Sequence, residues 1–195
     1  IGLGYRRIGI YHEALEAHLA EYAHADALDD DSKRASACNN IGLAHTFSGD
    51  YDSGKPYFEN SQVLFHELGD TLGESMALNN LGEGELRMAG RLEDAISYFQ
   101  ATLDLCETLP NPLVQFVALN GLSMAYIELG DLDTAEANLN TILENTQRQS
   151  LLFFRVMALR SRGRVYMRSE RFDHALRDLH ETLLLAERAQ IVYTV

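Results

Sequence analysis

Cysteine, proline and basic residues are scarce in this sequence, and each shortage removes a class of protein. The two cysteines, Cys38 and Cys106, lie far apart and make neither a metal-binding nor a redox spacing. A disulfide-stapled fold is therefore excluded, and a reducing, cytoplasmic setting is the expectation. Only three prolines occur, two of them in one short segment, Pro110–Asn111–Pro112, so long helices meet little interruption. Lys and Arg number 16 against 29 Asp and Glu, a net charge of −13. Nucleic-acid binding rests on clustered cations that release counterions from phosphates, so this balance argues against it. No apolar run approaches the roughly 20 residues that span a bilayer. No signal peptide and no initiator Met are present, and Ile1 opens inside a periodic pattern, which reads as an excerpt of a longer chain.

The signatures of catalysis are missing as well. No His-Glu-x-x-His string occurs, and Gly82–Glu83–Gly84 lacks the third glycine and the preceding strand of a phosphate loop. His12, His18 and His24 recur every six residues, which spreads them around a helix. His174 and Asp178, four apart, read as a solvated helix pair. The expectation is a chain that is not an enzyme and takes no cofactor or metal.

What is present is a repeat. A Gly, an aromatic or Leu two residues on, and a small residue three further recur as Gly9–Tyr11–Ala14, Gly49–Tyr51–Gly54, Gly90–Leu92–Ala95 and Gly130–Leu132–Ala135. A fifth copy, Glu170–Phe172–Ala175, lacks the Gly, and the anchors are 40, 41, 40 and 40 residues apart. Four residues before each anchor stand Tyr5, His45, Leu86, Tyr126 and Tyr166. Four after each Ala slot stand His18, Phe58, Phe99, Leu139 and Leu179. Each unit reads as two helices: apolar residues follow helical spacing, the anchor Gly ends the first helix in the left-handed conformation, and Asp50 and Asp131 stand at N-caps. Nothing reads as a strand.

These residues resemble the tetratricopeptide repeat. The match runs through Ile1–Gly2–Tyr5–Gly9–Ala14, Ile41–Gly42–Ala44–Gly49–Phe58 and Leu122–Ala125–Tyr126–Gly130–Ala135–Leu139, and it covers essentially the whole chain. Its unit is similar to the long-helix subgroup found in kinesin light chains and many bacterial regulators. The resemblance implies an all-α, right-handed superhelix (solenoid) of about five helical hairpins. It implies a single array over residues 1–195, with repeats near 1–31, 32–70, 71–111, 112–150 and 151–190, and with 191–195 opening a sixth first helix. Tyr5, Tyr126, Tyr166, Phe58, Phe99 and Leu139 are then expected to be buried between hairpins.

Three departures from the pattern stand out. The interval of 41 places one extra residue near Leu81–Gly84, where an insertion in a helix becomes a π-bulge. Such bulges often lie near functional sites, but a tolerated kink is the commoner reading. Pro56 falls inside a second helix and should bend it. Arg162 holds the slot that Ile1, Ile41 and Leu122 occupy.

Function then falls to a surface. The resemblance implies that Asn39, Asn79 and Asn120, with Arg160 at the same slot, face a concave groove and hold a bound peptide by its backbone. An amide offers a donor and an acceptor together; bridging between neighbouring helices is the competing use of such residues. Residues 151–195 hold eight Arg and five acids, a net of +3, which leaves −16 on the first 150. Arg160, Arg164 and Arg168 share one helix face, and Arg6, Arg7 and Arg87 align with the same wall. Three uses of these cations stay open: an acidic partner segment, neutralisation of adjacent acidic helices, or docking on the acidic end of another copy. The leading expectation is a protein-interaction scaffold for an extended acidic peptide, with no nucleic acid or membrane partner. The alternative is a regulatory array acting on an attached output domain in a bacterial signalling protein, self-associating as a homodimer.

Overall fold

A computed structural model describes residues 11–147 and 151–188. Among the described residues there are nine α-helices and no strand: α1 (Tyr11–Ala27), α2 (Asp31–Phe47), α3 (Tyr51–Glu67), α4 (Thr71–Gly84), α5 (Leu92–Thr108), α6 (Pro112–Leu129), α7 (Leu132–Asn145), α8 (Leu152–Arg168) and α9 (Phe172–Arg188). A π-helical turn, Glu85–Ala89, continues α4. The fold is an all-α helical repeat. It falls into two compact units that divide after Pro110, at the proline-rich connection.

In the first unit, α2 and α3 form one hairpin and α4 and α5 the next, with α1 packed against α2. In the second, α6 pairs with α7, and α8 pairs with α9. The helix ends follow from local chemistry. Asp30, Asp50, Asp70 and Asp131 each accept a hydrogen bond from the backbone N–H three residues on, and Asn111 accepts from Leu113 and Val114. Gly49, Gly90 and Gly130 close the first helices at φ 90°, 67° and 88°, a region where a side chain is strained. Glu170, the copy without glycine, takes φ 58° all the same. Helix α3 runs unbroken through Pro56.

The cores form where glycine lets helices approach. A Cβ on Gly42 would lie 2.7 Å from the Phe58 ring, and one on Gly82 would lie 2.7 Å from Phe99. Each ring therefore fills the space a side chain would take, which is why Gly and Phe recur together. Phe58, Phe99, Leu139 and Tyr166 are buried as expected, and His18 fills the same slot as Phe58. Tyr126 is half-buried and Leu179 is exposed, and Tyr5 lies outside the described residues. The extra residue is absorbed at Glu85–Ala89, one turn beyond the expected place.

Helix α6 is the one described helix long and apolar enough to cross a membrane by length and composition. Half of that stretch is buried inside the unit, and Phe116, Leu119, Leu122 and Ile127 supply core.

Candidate interaction surface

The first helix of each hairpin carries every residue expected to bind a partner. Asn39 on α2 is buried, and its amide oxygen accepts a 2.8 Å hydrogen bond from Asn80 on α4. Asn120 on α6 is buried too, and its amide oxygen accepts a 2.8 Å bond from the Ser161 hydroxyl on α8. Donor and acceptor are 41 residues apart in both cases. These two Asn bridge consecutive first helices, and the oxygen a peptide N–H would seek is already engaged in the fold. Asn79 differs: it is half-buried, and its amide oxygen accepts no hydrogen bond. In the first unit, Asn39 and Asn40 line a cleft of about 300 Å³ whose floor and rim include Phe65, Leu72, Gly73 and Met76.

The arginines do face solvent. Arg160, Arg164 and Arg168 follow one another at four-residue spacing on the exposed side of α8. Arg164 donates to one oxygen of Glu128 on α6 at 2.7 Å, and Arg168 donates to the other at 3.2 Å. Two guanidinium groups thus share a single carboxylate, while Arg160 stands exposed one turn before them on the same face. Toward the other end of the same two helices, Leu113 and Phe153 are exposed. Arg87 is exposed in the first unit and pairs with Glu83 one turn back. The expected residues are therefore not brought together: Asn39 lines the cleft of the first unit, Arg160, Arg164 and Arg168 form a ridge in the second, and Asn79, Arg87 and Asn120 belong to neither.

Arg162 explains its own place in an apolar slot. Its guanidinium spans both oxygens of Asp178 at 2.7 and 2.9 Å and reaches Asn140 at 2.6 Å. The hydrogen bond to Asp178 holds the guanidinium more firmly charged than usual. Asp178 is thereby committed to Arg162, and the expected pairing with His174 does not form. His174 instead lies against the Tyr166 ring, with centroids 5.2 Å apart.

A charged cluster that the sequence did not reveal sits at the π-turn. Glu85 is 0% exposed. It accepts hydrogen bonds from the Tyr51 hydroxyl at 3.0 Å, from Lys55 at 2.7 Å and from Arg91. Burial alone would push its carboxyl up, but the bonds from Arg91, Lys55 and Tyr51 outweigh it and hold the carboxyl below its usual range. Burial, reinforced by the bond to Glu85, pushes the Tyr51 phenol far up. The only sequence signal for this site was the interval of 41. No group of three or more His, Cys, Asp or Glu side chains that could hold a metal ion occurs among the described residues.

A family model for the tetratricopeptide repeat matches residues 34–108 and 73–148. Together these matches span more than half of the chain, and the chain belongs to the tetratricopeptide repeat family. Comparison with curated proteins found no significant match. Repeats of this family generally act as protein–protein interaction scaffolds without catalysis.

Proposed function

We propose that this chain is a non-catalytic scaffold that captures an extended, acidic segment of a partner protein, and that the ridge Arg160–Arg164–Arg168 is its main contact. One observation carries the reading: three exposed arginines follow one another on one face of α8, and two of them, Arg164 and Arg168, share the single carboxylate of Glu128. Guanidinium groups bind carboxylates through paired, charge-assisted bonds, so a partner's Asp or Glu can take up the unbalanced charge. Exposed Leu113 and Phe153, toward the other end of the same helices, offer apolar contact to a segment that runs on from the ridge. Asn39 and Asn120 serve this reading indirectly, by fixing the spacing of the first helices. Arg87 offers a further exposed guanidinium in the first unit, whereas the amide oxygen of Asn79 is buried and out of a ligand's reach. The 40- and 41-residue intervals and the 17-residue helices suit the long-unit subgroup. A reducing, cytoplasmic compartment is part of the reading, and the buried thiol of Cys38 is compatible with it.

The test compares fluorescent poly-glutamate and poly-glutamine peptides by anisotropy. The acidic peptide should bind, and binding should weaken as salt rises. Arg164→Glu should abolish it while leaving the circular dichroism spectrum unchanged. Equal binding of the two peptides, or acidic binding that survives Arg164→Glu, overturns the proposal.

A further inference from the structure

The outer face of the first helices changes character along its length. On α6 and α8 the exposed and half-buried line opens on Leu113 and Val117 of one helix and Phe153 and Met157 of the other, all in the N-terminal halves. It ends on Glu128, Arg164 and Arg168 in the C-terminal halves. Helix α4 of the first unit repeats the division, with Leu72 and Met76 exposed ahead of the Glu83–Arg87 ion pair. A neighbouring first helix does not cover this face. Helix α8 packs beside α6, yet Leu113 and Glu128 stay exposed. Ser32 and Ser36 likewise stay exposed on α2, with α4 packed beside it.

The apolar half is ordered in advance. Phe153 stands edge-on to Phe154 with ring centroids 5.4 Å apart, and Phe154 lies 5.7 Å from the buried ring of Phe116. A partner that covers Phe153 therefore has little to immobilise. The charged half works differently. Exposed ion pairs contribute little each, so Arg164 and Arg168 steer and orient a partner more than they hold it. A specific, lasting contact with this face needs both halves.

The two halves also fix a length. Phe153 lies 11 positions before Arg164 and 15 before Arg168, which along an α-helix is about 16 and about 22 Å. An extended chain covers that span in about five to seven residues, at about 3.3 Å each. A helical partner fits poorly, because it buries an apolar stripe along its whole length and would meet cations over half of it.

We propose that the α6–α8 face takes an extended partner segment lengthwise, with a bulky apolar side chain against Leu113 and Phe153 and an acidic side chain about five to seven residues away against Arg164 and Arg168. The inference rests on the Arg-ridge reading above and adds an anchor and a spacing to it.

Anisotropy with four labelled peptides on the 195-residue chain tests this. The first peptide joins Phe-Leu to a Glu run through a spacer of about six Gly and Ser residues. The others replace Phe-Leu by Ser-Ser, replace Glu by Gln, or shorten the spacer to a single residue. The first peptide should bind about tenfold tighter than the Ser-Ser peptide, and the shortened spacer should lose most of that gain. Phe153→Ser should abolish the gain and leave binding of the Ser-Ser peptide and the helical spectrum unchanged. Should Phe153→Ser disturb α8, Leu113→Ser must still lower the gain. Equal binding of the Phe-Leu and Ser-Ser peptides, or a gain indifferent to the spacer or to both variants, overturns this inference and leaves the Arg ridge standing. A Phe-Leu peptide that binds equally well with Gln in place of Glu overturns both.

Discussion

At Glu170 a side chain sits where the other repeats place glycine. Its φ of 58° costs an L-residue about 1–2 kcal/mol, and the residue is exposed, so no contact offsets that cost. Glu170→Gly should therefore stabilise the chain by about 1 kcal/mol, after the entropy that glycine loses on folding. The check is a chemical-denaturation midpoint, and an unchanged or lower midpoint would show that Glu170 is held by something other than the turn. Glu85 is the opposite case, a charge with no exposure at all and three donors around it. Glu85→Ala should cost about 3–5 kcal/mol, because it strands Lys55 and Arg91 beside a buried cavity. The lower end is expected, since both cations retain access to water. The pH dependence has a definite sign. The folded carboxyl titrates below its unfolded counterpart, so its stabilisation is present above about pH 4.3 and is lost as pH falls through the folded value. Urea titrations between pH 3 and pH 7 should show a shallower acid limb for Glu85→Gln than for wild type. Of these two residues only Glu170 was legible in the sequence, where it broke a local pattern. Glu85 was not, because its partners come from 34 residues upstream and 6 downstream and meet only when the hairpins stack.

The helices themselves were largely legible, for the same local reason. Caps at Asp50 and Asp131 and left-handed closures at Gly49, Gly90 and Gly130 depend on residues within one turn. The interval of 41 announced an insertion, and the structure places it at Glu85–Ala89, where the widened turn carries Glu85 inward. The groove was less legible. Asn39 and Asn120 recur at one slot, but the recurrence alone does not separate a residue that faces a ligand from one that faces the next helix. The discriminating signal was the slot beside it, where Asn80 and Ser161 supply donors 41 residues on. Two substitutions probe elements in opposite directions. Pro56 is exposed and interior to α3, so Pro56→Ala should restore a backbone donor and stabilise the helix by about 1–3 kcal/mol. Phe99 is fully buried beneath Gly82, so Phe99→Ala should cost about 3–5 kcal/mol. Both are read from urea midpoints, and a loss below about 1 kcal/mol for Phe99→Ala would contradict a filled core at that slot.

At the scale of the whole chain, charge sets two effects of opposite sign. The chain carries −13, with −16 on the first 150 residues, and like charges confined to a compact fold repel one another. Salt screens that repulsion and should stabilise the fold. It also screens the surface ion pairs, such as Arg164–Glu128 and Lys33–Asp30, and so removes part of their contribution. Exposed pairs are each worth about 0–1 kcal/mol, and many contribute nothing measurable. The excess of 13 acids acts in every copy of the molecule, and the Debye length falls from roughly 10 Å at 0.1 M to 3 Å at 1 M, short of the spacing between most of these charges. Screening of the repulsion should therefore win. The melting temperature should rise between low salt and about 0.5 M sodium chloride, while the affinity for a poly-glutamate peptide falls over the same range. Measuring both in one salt series separates the two origins, because the fold gains where the Arg ridge loses. A melting temperature that falls along with the affinity would place the ion pairs, and not the net charge, in control of stability.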